Sequence, residues 1–174
     1  MTSNWALPSI VEQYSEPSAE NVHVSWINVD NFSNLKTNNG KSVKTSRDLI
    51  HIARDPRHDI VEKTYFIKCV GFNFVNLPLT PSGIEIKLTS NRFGRITDET
   101  ISLTLNDEII GNNHASLDLS PIKTYGNNND MWNTTLIYSD FQNNSFGVIL
   151  RFQSHPNWPH KCSMLLDAIE IRVH

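Results

Sequence analysis

What most restricts this chain is a repeated alternation of polarity with a period of two. In Gly83-Ile84-Glu85-Ile86-Lys87-Leu88-Thr89, the three aliphatic side chains fall on one side of an extended backbone and the polar ones on the other. Ile101, Leu103 and Leu105 repeat the pattern with Ser102 and Thr104 between them, as do Phe146, Val148, Leu150 and Phe152. Ile169, Ile171 and Val173 close the chain the same way, and Val22, Val24 and Trp26 open it. A helix would scatter these side chains around its circumference, whereas a half-buried strand gathers them on one face. Thr64 to Phe74 is more continuously apolar and aromatic, which suits a central strand covered on both faces.

Turn-forming runs separate these segments: Asn38-Asn39-Gly40, Leu79-Thr80-Pro81-Ser82-Gly83, Ile110-Gly111-Asn112-Asn113 and Gly126-Asn127-Asn128-Asn129-Asp130. The expectation is an all-β, antiparallel, jelly-roll-like β-sandwich over residues 22–174, in a chain of 174 residues. Residues 1–21 differ. Pro8 and Pro17 bracket a stretch in which Ser9 and Glu12 match a capping box, so one or two helical turns are expected from Ile10 to about Ser15. Trp5, Leu7, Ile10 and Tyr14 make this an apolar arm that must dock, and they are its expected assembly contacts.

Composition narrows the function. The net charge of −3 and pI of about 6.1, with no Lys/Arg cluster, argue against nucleic-acid binding. No stretch has the roughly 18 apolar residues that membrane insertion requires. The N-terminus lacks a basic region followed by an apolar run, so no secretory signal is expected and the chain should fold in a cytoplasm. Cys69 and Cys162 have no neighbours at metal or redox spacing. Spacing does not decide whether they pair, and two buried free thiols are the favoured reading.

Nucleophile elbows, phosphate loops, dinucleotide fingerprints and zinc-protease helices are all missing, so no catalytic residue, cofactor or metal site is expected. His155 and His160 flank a Pro- and Trp-bearing loop whose prolines forbid helical ligand spacing, and a rigid surface loop is the expected reading. Arg54-Asp55-Pro56-Arg57-His58-Asp59 reads as a solvated loop between strands. Tyr125, Trp132 and Trp158 are the aromatics able to stack on a sugar or anchor a receptor. Trp132 is nevertheless expected to pack where the Asn-rich loop re-enters the core. Counting by two from Val173 puts Asp167 on the inner face, where it should hold backbone or hydroxyl donors.

The string from Tyr65 to Phe74, with its Gly71-Phe72-Asn73-Phe74, is followed by Ser82-Gly83-Ile84-Glu85-Ile86-Lys87-Leu88. Ile101 to Leu105, Gly111 to Ala115, Tyr125-Gly126, Asp130-Met131-Trp132, Ser145 to Val148 and Leu166 to Ile171 follow in order. This succession resembles a β-sandwich family of tailed-bacteriophage and prophage virion proteins. Trp26 and Asn28 fit its opening, although Val29 stands where the family carries proline. The resemblance covers residues 26–173 and carries no catalytic residues. It implies a non-enzymatic structural part of a tail, baseplate, neck or capsid decoration, assembled in the bacterial cytoplasm. The implied partners are other virion proteins and copies of itself. The second reading is a module that binds a host-surface glycan or protein receptor.

Overall fold

The alternating segments become the long strands of two facing sheets, and the chain is an all-β sandwich with very little helix. The computed structural model describes residues 2–15, 23–27, 32–37, 39–52, 60–155 and 160–174. In chain order the strands are β1 (Ile10–Tyr14), β2 (His23–Val24), β3 (Trp26–Ile27), β4 (Val43–Thr45), β5 (His51–Ile52), β6 (Ile60–Val61) and β7 (Lys63–Thr64). They continue as β8 (Phe66–Val70), β9 (Ile84–Phe93), β10 (Ile96–Leu105), β11 (Glu108–Ile110), β12 (Ile122–Asn127), β13 (Gly147–Ser154) and β14 (Ser163–Val173). A 3-10 turn at Ser33–Lys36 and the one-turn helix α1 (Tyr138–Phe141) interrupt them.

One sheet runs β12-β9-β14-β4-β3 and the other β1-β8-β13-β10-β11, with β7 added to β13 and β2 to β7. The pairs are antiparallel except β2–β7. The inner faces contribute Ile84, Ile86, Leu88, Leu166, Ile169 and Ile171 from the first sheet. Ile67, Cys69, Ile101, Leu103, Val148, Leu150 and Phe152 answer them from the second. One of the two sheets is curled. The Lys68 ammonium meets Glu12 on β1 and Asp107 in the β10–β11 turn, each at 3.0 Å, so one lysine ties positions on opposite sides of its strand.

Each sheet carries a bulge that flips the parity of a long strand. In β10 the pairing skips Glu99, so Asp98 and Ile101 both point inward although three residues apart. In β14 it skips Asp167, so Leu166 and Ile169 share the inner face.

The N-terminal segment departs from expectation. Ile10–Tyr14 is a strand, in register with β8 from Ile10↔Val70 to Tyr14↔Phe66, and not a helix. The capping box fails because the Ser9 amide is given to the carbonyls of Val70 and Gly71. Before Pro8, the chain pairs with the other sheet: the Ala6 and Ile171 amides each donate to the other residue's carbonyl, and the Ser3 amide donates to the carbonyl of Val173. Residues 3–14 therefore cross from one sheet to the other and join their edges. Gln13 completes this side, accepting from the Trp26 amide at 2.9 Å and donating to its carbonyl at 3.2 Å.

The expected strand from Thr64 to Phe74 also ends early. Gly71, at φ 71°, turns the chain out of the sheet, and its hydrogen faces Ser9 where a Cβ would clash. Cys69 and Cys162 are both buried and free.

Candidate functional site

Of the arm residues, Trp5 lies half-buried on the outer face of the first sheet, its ring between the Lys87 ammonium (4.5 Å) and the Arg172 guanidinium (4.4 Å). Leu7 is half-buried, while Ile10 and Tyr14 are 43% and 39% exposed on β1. Tyr14 stacks on Phe66 at 5.1 Å, so it too rests on its own domain.

Two of the three aromatics suggested for ligand stacking, Tyr125 and Trp132, are not on the surface. Trp132 is wholly buried and donates its indole N–H to the Ile84 carbonyl at 2.9 Å, with His114 against its face at 3.9 Å. Tyr125 points inward and donates its hydroxyl to Asp98 at 2.8 Å. Neither presents a ring to a ligand. Trp158 lies outside the described residues, as do Arg54 to Asp59.

Asp167 corrects another expectation. Because it occupies the β14 bulge, the count by two from Val173 fails at Ala168, and Asp167 is not an inward acceptor. Its Oδ1 is buried without a hydrogen-bond partner among the described residues, and burial raises its pKa above the usual aspartate range.

The inward carboxylate is Asp98 instead. It accepts from Arg92 (2.8 Å), Lys123 (3.2 Å), the Tyr125 hydroxyl (2.8 Å) and the Ser116 amide (3.3 Å). Burial, then the Asp98 charge, pushes the Tyr125 hydroxyl far above its ordinary pKa. Glu99 beside it turns outward to Arg151, Lys63 and the Thr100 hydroxyl. Burial alone would raise its pKa, but those donors outweigh it and hold the carboxyl at about 2. Glu62 takes a two-pronged bond from Arg47 and the Ile50 amide. These carboxylates are locked to cations, which suits scaffolding and not proton transfer. Burial pushes the Cys162 thiol up to about 11 and Cys69 higher still, leaving neither as a ready thiolate. Among the described residues, no three His, Cys, Asp or Glu side chains converge as metal ligands.

Two surface features stand out among the described residues. Where Gly71 turns the chain outward, Phe72, Asn73, Phe74, Asn76 and Leu77 form one wall of a cleft of about 390 Å³. Tyr138, Phe141, Gln142 and Asn144 form the other. The second feature is the side opposite the N-terminal segment, where β11 ends one sheet and β12 the other. Ile109 and Ile122 on those strands are 53% and 63% exposed, and Leu117 and Leu119 are exposed between them. Sequence reasoning passed over both features. Asn73 falls within the strand expected from Thr64 to Phe74, and an edge strand has no signal of its own.

No protein-family model, curated protein or solved structure matches the chain.

Proposed function

We propose that this chain is a non-enzymatic structural component of a tailed-bacteriophage particle, working through protein–protein contacts with other virion proteins or copies of itself. The observation that carries the assembly part is the contrast between the two sides of the sandwich. One side is joined by residues 3–14 and by Gln13 on Trp26. On the other, β11 and β12 end their sheets beside exposed Ile109, Leu117, Leu119 and Ile122. Soluble proteins usually blunt an edge with charge, proline or a covering segment, so apolar edges mark a contact surface. The phage part of the reading rests on the ordered resemblance over residues 26–173.

The test is proteomic and genetic. Purified particles should contain the chain as a stoichiometric component. An Ile109→Asp, Ile122→Asp double variant should fold with nearly unchanged stability, because both side chains are exposed, yet fail to enter particles. Particles that lack the chain overturn the phage reading. Normal incorporation of the double variant overturns the assignment of the β11/β12 side.

A further inference from the structure

We infer that the cleft between residues 72–77 and α1 is a binding site for a neutral carbohydrate. This inference does not depend on the virion reading. The site begins with the chain's exit from the sheet. Gly71 ends β8, and the Gly71-Phe72-Asn73-Phe74 stretch lies over the end of the sandwich instead of extending a strand. Phe72 and Phe74 stack at 6.2 Å and 21°, and Phe74 meets Phe141 edge-on at 6.3 Å. Phe146 closes this cluster beneath, 4.8 Å from Phe141. Phe74 and Tyr138 stay partly exposed, so aromatic surface remains at the cleft.

The wall is fixed from behind. Asn4 accepts from the Val75 amide through its side chain at 2.6 Å and gives its own amide to the Val75 carbonyl at 3.1 Å. The next residue, Asn76, has φ 60°, a left-handed conformation that asparagine tolerates better than most side chains. On the facing wall, the Ile137 amide donates to Asp140 at 2.8 Å and holds the turn of α1 in place.

The chemistry of the lining selects the ligand. Among the described residues, four amides and no charged side chain line the cleft. Asn73, Asn76 and Asn144 spend their side-chain donors and acceptors on no partner among the described residues. Gln142 donates to the Tyr138 hydroxyl at 3.2 Å, leaving the hydroxyl's own proton and the Gln142 carbonyl free. Each primary amide offers a donor and an acceptor side by side, the match for vicinal hydroxyls. Aromatic faces accept the C–H face of a sugar ring. A charge-free lining gives a phosphate, sulfate or carboxylate ligand nothing to pair with, and a desolvated unpaired charge is costly. The volume is at the small end for ligand sites and suits one or two sugar rings.

The full chain, labelled with 15N, should be titrated with uncharged gluco-, galacto- and manno-tetrasaccharides, and in parallel with a sialylated oligosaccharide, a sulfated oligosaccharide and tetraglycine. At least one neutral tetrasaccharide should shift the side-chain amide signals of Asn73, Asn76 and Asn144 saturably at millimolar concentration or below. The Asn73→Ala, Asn144→Ala double variant should keep its melting temperature, since both side chains are exposed, and bind that saccharide at least about tenfold more weakly. The inference is overturned if no neutral saccharide saturates these signals, or if the saturating shifts map elsewhere. Stronger binding of the charged oligosaccharides or the peptide at the same residues overturns it as well.

Discussion

Asp98 on β10 and Arg92 on β9 meet inside the sandwich at 2.8 Å, both side chains sealed from solvent. Each comes from a different sheet, and the β10 bulge at Glu99 allows Asp98 to point inward while Ile101 and Leu103 do the same. Lys123 and Tyr125 on β12 converge on the same carboxylate. Removing one member strands buried charge, so Asp98→Leu or Arg92→Leu should cost about 3–5 kcal/mol in urea denaturation. Replacing Arg92 and Asp98 by Leu together should be milder than the sum, because neither is left facing the other's missing charge, although Lys123 and the Tyr125 hydroxyl still lose their acceptor. Strict additivity would show that the two residues act independently.

Trp132 fills the end of the sandwich beneath the Asn-rich turn, and its ring leaves room only for a glycine at 126. A Cβ on Gly126 would sit 2.2 Å from the Ile84 carbonyl oxygen and 2.7 Å from the Trp132 indole nitrogen, at φ 75°. Trp132→Ala should cost about 3–5 kcal/mol. Gly126→Ala should be destabilising despite adding one methyl group, since backbone strain and overpacking act together. Thermal denaturation of the two variants tests both statements, and an unshifted transition in either refutes the packing described.

Glu99 and Asp167 titrate in opposite senses. The Glu99 carboxyl is held at about 2 in the folded chain. Its depressed pKa gives stability that is present above the unfolded value, near 4.5, and is lost as pH falls toward 2. Glu99→Gln should therefore flatten the stability profile across that acid window. Chemical denaturation at stepped pH measures it, and an unchanged slope would remove Glu99 from the account.

For Asp167 burial raises the folded pKa above the ordinary aspartate value of 3.8. Its contribution is full below that value and is lost as pH rises through the folded one. Asp167→Asn should consequently stabilise the domain at neutral pH and confer no advantage at low pH. A loss of stability at neutral pH would mean that the carboxylate has a partner after all.

The long strands were legible because their cores are strict. Ile84, Ile86 and Leu88 alternate in the sequence and point together into the sandwich. The bulges were not legible, since neither Asp98-Glu99-Thr100 nor Leu166-Asp167-Ala168 carries a residue that demands one. Parity counted by two thus holds from Val173 back to Ile169 and fails at Asp167. The capping box misled because Ser9 and Glu12 also suit an edge strand, and five ladder pairs with β8 outweigh one helical turn. The burial of Trp132 was readable from its position after a turn. The cleft joins segments more than sixty residues apart, and nothing local announces that they meet.

The N-terminal segment yields the last prediction. Ala6, Pro8 and Val11 are buried, Trp5 and Leu7 half so, and together they cover the β14 edge of one sheet and the β8 edge of the other. At roughly 1.5–3 kcal/mol per fully buried aliphatic side chain, and less for the half-buried ones, their loss amounts to about 5 kcal/mol. For a chain of this size that corresponds to a fall of about 10–20 °C in melting temperature. Deleting residues 1–15 should therefore produce an early-melting, association-prone domain, because two strand edges are uncovered at once. Trp5→Ala, which removes only the ring between Lys87 and Arg172, should cost about 1 kcal/mol and leave the domain monodisperse. Calorimetry and light scattering on the deletion and the point variant separate the two contributions. A deletion that melts with the full chain would show that the segment is an appendage, free to reach a neighbour, and that the two sheets hold together without it.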